Sequence, residues 1–157
     1  MKPSRLLSPC SLLIACLVTS ASFSQAPGER NLQKTREELL ALHNRERAKE
    51  DLKPLRLNSE LTKAAQAYAE FLVEAEEFSH TAKGTPRTRV KEAGYEARAC
   101  GENIATGQPS AAAVVKDWME SKTHKGNILS EEFTEVGFGI ATDRNGDLLW
   151  VADFGDR

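Results

Sequence analysis

Cysteine is nearly absent from the part of this 157-residue chain that can fold, since Cys10 and Cys16 lie near the N-terminus and Cys100 has no intramolecular partner. A disulfide framework is therefore excluded, and the fold must rest on its apolar core. Long apolar runs are missing too: the stretch over residues 6–18 is shorter than the roughly 18 to 20 residues a spanning helix needs, and Pro9 interrupts it. A basic excess is missing, with a formal net charge of −2 that becomes −4 when residues 1–24, which carry Lys2 and Arg5 but no acid, are removed. Such a chain is a poor partner for nucleic acid. Internal repeats, low-complexity tracts and long charge blocks are also lacking. What remains is 40% hydrophobic, enough for one core and too short for two.

The N-terminus has the layout of an export signal: Met-Lys-Pro-Ser-Arg, an uncharged apolar stretch, then small residues at Ser22 and Ser24 before Gln25. Leu13-Ile14-Ala15-Cys16 also resembles a lipobox, whose cysteine is lipidated and becomes the new N-terminus. Two expectations stand side by side, a signal peptide over residues 1–24 or a lipoprotein signal ending before Cys16. Both place the protein outside the cytoplasm, secreted or in the cell envelope, with a lipid anchor at Cys16 as the one membrane attachment. Residues 25–31 read as a polar linker and residues 32–157 as the domain.

Within that domain Leu32, Leu39, Leu40 and His43 recur at helical spacing up to about Glu50. Asn58 or Ser59 can cap a second helix with the stripe Leu61, Ala64, Ala65, Tyr68, Phe71, Leu72 and Ala75. Thr85-Pro86 opens a short third helix that Gly94 can end, and Ser110 caps a fourth that presents Val114, Val115 and Trp118 on one face and ends near Ser121. The period then becomes two. Val136, Phe138 and Ile140, then Leu148, Trp150, Ala152 and Phe154, flank the turn signal Asn145-Gly146 and predict a hairpin. A lone hairpin is marginal in water, so a third strand is expected within residues 95–105. Helices, a mixed region and a terminal hairpin make a layered α+β domain.

The chemistry-bearing residues are few. Of three histidines, His80 follows the long striped helix and His124 follows the Trp118 helix, at helix ends where a scaffold presents polar groups. Glu102 stands in Gly101-Glu102-Asn103-Ile104, a carboxylate beside an apolar segment that wants a partner. Two imidazoles and a carboxylate can hold a zinc-type divalent ion with a position open to water. They can equally form a hydrogen-bonded network that fixes helix ends. There is no His-Glu-x-x-His helix, so only the fold can unite them. His43, beside Asn44 and followed by Arg45 and Arg47, reads as a structural histidine, and Cys100 as a buried inert thiol rather than a nucleophile. Ser79 and Ser121 lie near histidines, but without a Gly-x-Ser-x-Gly elbow a serine hydrolase is not supported. Phe71, Trp118, Phe133 and Trp150 read as core rather than a lipid groove.

These elements in this order resemble the CAP superfamily of cysteine-rich secretory, antigen-five and pathogenesis-related proteins, in its bacterial SCP-like branch. The resemblance is carried by Leu42-His43-Asn44-Arg45-Glu46-Arg47, Pro54-Leu55, Ala64-Ala65-Gln66, Phe78-Ser79-His80, Arg89, Ala93-Gly94-Tyr95 and Gly101-Glu102-Asn103-Ile104. It continues through Trp118-Met119, Ser121, His124, Asn127-Ile128-Leu129, the run Phe133-Thr134-Glu135-Val136-Gly137-Phe138-Gly139, Trp150 and Asp153-Phe154. It implies a three-layer α-β-α sandwich with a cleft that receives His80, Glu102 and His124 as members of a polar tetrad. In some relatives the two histidines carry a divalent metal. The fourth member is usually a glutamate on the helix bearing Trp118, for which Glu120 is the nearest candidate, one position off the expected spacing. Two functions remain: an extracellular module that binds a ligand, a lipid or a protein without turnover, and a metal-dependent hydrolase of peptides or cell-envelope polymers, with Glu102 as base or third ligand.

Overall fold

The computed structural model describes residues 27–157, so the expected export segment and Cys16 lie outside the described residues. The first helix, α1 (Pro27–Ala48), begins five residues before Leu32 and converts most of the expected linker to helix. Pro27 supplies the reason, since its fixed φ suits a first helical turn, where its missing N–H costs nothing. A two-residue strand β1 (Arg56–Leu57) leads to α2 (Ser59–Ala75). Asn58 caps α2, its side-chain oxygen accepting from the Glu60 and Leu61 amides at 2.9 and 3.0 Å, an arrangement worth about 1 kcal/mol. After the loop over residues 76–85 come α3 (Pro86–Glu92), capped by Thr85, and β2 (Ala99–Thr106). Next are α4 (Ala111–Glu120), capped by Ser110, α5 (Lys122–Ile128), β3 (Glu135–Thr142) and β4 (Leu148–Asp156). The third strand thus lies where expected, while β1 and α5 were not foreseen.

The strands form one sheet in the order β1-β3-β4-β2, with β1 parallel to β3 and the other pairings antiparallel. Alternation of side chains divides the sheet into two faces. Val136, Phe138, Ile140, Trp150, Ala152 and Phe154 pack with Leu39 of α1, Val114 and Trp118 of α4 and Ile128 of α5. The opposite face carries Ile104, Leu149 and Val151 against Ala65, Tyr68 and Leu72 of α2, while Val90 and Tyr95 join Leu61 in a neighbouring cluster. This is an α+β domain in three layers, α-β-α, closed by the C-terminal hairpin.

The segment His43-Asn44-Arg45-Glu46-Arg47 is structural. Asn44 exchanges two hydrogen bonds with the main chain of Leu55, at 3.0 and 2.8 Å. Buried Arg47 donates to the carbonyls of Lys53, Ile128, Ser130 and Phe133, tying α1 to the end of α5 and the segment that enters β3. His43 has no exposure and donates from Nδ1 to Leu39 O at 2.7 Å among the rings of Trp118, Phe138 and Phe154. Burial pushes its pKa down to about 4. The imidazole is therefore neutral when folded but titrates near 6.5 when unfolded. Its contribution to stability is complete above about pH 6.5 and falls by up to ~3 kcal/mol as the pH drops through about 4. Urea unfolding midpoints are expected to decline across that window, and His43→Phe should flatten the decline; an unchanged slope would remove His43 as its source.

Candidate functional site

Strand β2 is one edge of the sheet, and polar groups from three elements meet there. Glu102, in the middle of β2, turns its side chain toward the α2 and α3 face, where it is 1% exposed. His80, in the loop before α3, donates from Nδ1 to Glu102 Oε1 at 2.8 Å, and Arg89 of α3 donates from Nη2 to Glu102 Oε2. Arg89 also fixes the loop that carries His80, donating from Nη1 to the carbonyls of His80 at 3.1 Å and Gly84 at 2.7 Å. Its guanidinium lies 3.4 Å from the centre of the Tyr68 ring, a cation–π contact. The Tyr68 hydroxyl in turn donates to Ser79 O. His80 is thus held at both its ring and its main chain, while its side chain remains 48% exposed.

His124 arrives from the other side of the same strand. It lies within α5 rather than beyond a helix end, because Ser121 closes α4 and begins α5. Asn103 Nδ2 donates to His124 O at 3.1 Å, and Asn127 Nδ2 donates to Asn103 Oδ1 at 2.8 Å and to Glu102 O at 3.0 Å. Burial lowers the pKa of His124, and the neighbouring His80 lowers it further. Both imidazoles therefore belong to one electrostatic cluster around β2.

Glu120 has a different neighbourhood. At 65% side-chain exposure it pairs with Lys116 at 3.4 Å and lines the outer groove between α1 and α4 with Leu42, Arg45 and Met119. The structure does not bring it to the histidines.

Asp153, one strand over, completes the cluster unforeseen. It pairs in register with Glu102, has no exposure, and neither of its oxygens has a hydrogen-bond partner among the described residues. Burial and then the charge of Glu102 raise its pKa well above the ordinary carboxylate value. A lone acid in the apolar run Trp150-Val151-Ala152-Asp153-Phe154 is the sequence signal that could have found it. Arg89, an arginine beside Val90 on a short helix, offers a weaker one. Cys100, on the same face as Glu102, is half-buried rather than buried, with its thiol pushed up to about 11, first by burial and then by Asp153, which suits an inert residue.

As metal donors the cluster offers His80 and His124. A carboxylate behind a histidine resembles the orienting contact found behind metal-bound imidazoles, but both oxygens of Glu102 are engaged, which leaves no third ligand. Among the described residues no group of three or more His, Cys, Asp or Glu side chains is arranged to hold a metal ion. The donors do not fit a catalytic zinc site, which takes three protein ligands.

The chain belongs to the CAP family, the cysteine-rich secretory protein family, whose family model matches residues 40–154. Protein YkwD of Bacillus subtilis (strain 168), described as uncharacterized, is 36% identical over 118 residues, which is 74% of this chain and 45% of that protein. An extracellular protein containing an SCP domain from Bacillus anthracis superposes with a TM-score of 0.76 at 22% identity, over 87% of this chain and 45% of that one. An outer surface protein from Borrelia burgdorferi does so with a TM-score of 0.71 at 25% identity, over 84% of this chain and 96% of that one. The chain thus spans less than half the length of the two Bacillus proteins. No helix among the described residues is long and apolar enough to cross a membrane.

Proposed function

We propose that this protein is an exported binding module that holds a ligand, without turnover, in a cleft around His80, Glu102 and His124. The state of Glu102 carries the reading. A general base needs an oxygen within reach of the proton it takes, whereas Glu102 is buried with one oxygen held by His80 and the other by Arg89. Its work is to orient His80, whose exposed ring faces a ligand. His124, kept neutral by burial, can accept or donate one hydrogen bond. Neighbours described as extracellular or surface proteins support a location outside the cytoplasm. Mass spectrometry of the mature N-terminus separates cleavage before Gln25 from lipidation of Cys16.

The test is turnover of casein and of purified peptidoglycan, with zinc added and with chelator. No product above background is expected in either condition. A zinc-dependent rate lost in both His80→Ala and His124→Ala would overturn the binding reading in favour of a hydrolase. Zinc titrations should show only weak binding, as two donors give, reduced further by either substitution.

A further inference from the structure

We infer that the cleft receives its ligand as an extended polypeptide, added as a new strand to the outer edge of β2 at Ile104 and Thr106. This deepens the binding reading above and rests on it.

The direction of each main-chain group follows from the register. Gly107 N donates to Leu148 O at 2.9 Å, continuing the pairing in which Ala105 faces Trp150 and Asn103 faces Ala152. In an antiparallel ladder alternate residues turn their N–H and C=O to the same neighbour, so residues 103, 105 and 107 bond to β4 while residues 102, 104 and 106 point outward. The bond from Asn127 Nδ2 to Glu102 O marks that outer side.

The two sides of the sheet are treated differently. Beyond β1, the outer groups of β3 are capped one after another: Arg36 Nε donates to Phe138 O at 3.0 Å, Gln66 Nε2 to Ile140 O at 2.9 Å, and Ile140 N to Gln66 Oε1 at 3.1 Å. At the start of β2, Arg87 takes the carbonyls of Ala97 and Arg98, and Asn127 takes that of Glu102. The capping then stops. Among the described residues no partner serves the outward N–H and C=O of Ile104 or Thr106, although Ile104 is only 4% exposed. Thr106, next along the edge, is exposed, and an uncapped strand edge is a template for pairing with another chain.

Spacing and surroundings select that partner. The outward groups of Ile104 and Thr106 repeat at about 7 Å, the two-residue repeat of a strand, and alternate donor with acceptor as only another extended main chain does. The α3 side, with His80, and α5, with His124, lie against β2 on opposite faces. Thr106 also opens onto a pocket of about 400 Å3 whose floor is apolar, with Leu72, Val73, Phe78 and Leu149, and whose rim is polar, with Glu76, Glu77, Asp143, Arg144 and Asn145. Phe78 is 55% exposed, the one large hydrophobic so exposed among the described residues. The pocket has room for one side chain of the added strand, with an apolar stem and a polar end.

The experiment pans a phage-displayed library of random dodecapeptides against the full chain and synthesises the enriched sequence. N-methylation at alternate amides of that peptide should weaken binding about tenfold each, as loss of one hydrogen bond with its partner left unpaired does, and methylation at the intervening amides should not. Thr106→Pro removes one outward donor and no ladder bond, so it should weaken binding about tenfold while circular dichroism and the thermal midpoint stay near those of the wild type. Phe78→Ser, on an exposed loop, should do the same through the pocket. Absence of enrichment, binding indifferent to methylation, or wild-type affinity in both variants would overturn the assignment. So would a dimer that Thr106→Pro dissolves, which would mark the edge as an interface between copies. A lipid or glycan ligand lost in His80→Ala, with no peptide enriched, would sink the strand assignment and leave the binding reading standing; zinc-dependent turnover would sink the reading itself.

Discussion

Replacing Gly139 by alanine is expected to lower the stability by about 3 kcal/mol or more, read as a fall in the urea midpoint at unchanged slope or as insoluble protein, with Gly137→Ala close behind. The reason is contact with backbone. A Cβ at Gly139 would stand 2.1 Å from Ala65 O and 2.3 Å from Ala65 C, and one at Gly137 would stand 2.1 Å from Leu61 C and Thr62 N. No rotamer change relieves either overlap, because the obstacle is the main chain of α2. Lifting α2 off the sheet would draw Gln66 away from both of its bonds to Ile140 and open the packing of Tyr68 and Leu72. Gly126 is the control. A Cβ there meets nothing within 4 Å, and since Gly126 lies inside α5, Gly126→Ala should be neutral or stabilising by up to about 1 kcal/mol. Equal losses at all three positions would show that α2 is not seated on the glycines.

Those glycines mark where the sequence was legible and where it was not. Their alternation with Val136, Phe138 and Ile140 announced a strand, but not that the glycine side would receive a helix at backbone distance. Capped and striped elements were legible: Asn58, Thr85-Pro86 and Ser110 start their helices as expected, and Gly94, with φ near 105°, follows α3. Segment α5 was hidden because Lys122–Ile128 offers one buried apolar residue, Ile128, and a glycine. Tertiary bonds from Asn127 and Asn103 hold it instead. The pairing of His80 with Glu102 joins residues 22 apart in sequence, and periodicity carries no information about such a contact. Glu120 is the instructive case: two positions beyond Trp118, it is rotated by about 200° around the helix. With Trp118 turned into the core, Glu120 had to face outward, a consequence that the sequence contained but the family pattern obscured.

Arg89→Met should cost about 3 to 5 kcal/mol at neutral pH, the usual penalty for stripping one partner from a buried ion pair. Arg89 and Glu102 are 5% and 1% exposed at their side chains, so solvent replaces little of what is lost. Removing the guanidinium leaves Glu102 facing Asp153 across two paired strands with only His80 at hand, and it releases the His80 loop from its two carbonyl anchors. Asp153→Asn separates charge from packing. Burial and the charge of Glu102 raise the pKa of Asp153 on folding, so at neutral pH the substitution removes a cost of folding and should stabilise the wild type, and in the Arg89→Met background it removes one of two acids left without a guanidinium and should stabilise more. Non-additivity of that pair in a double-mutant cycle is the decisive reading. Strict additivity would mean that Arg89 acts by packing on Tyr68 alone, and Glu102 would lose its role as the fixed point on which His80 is set.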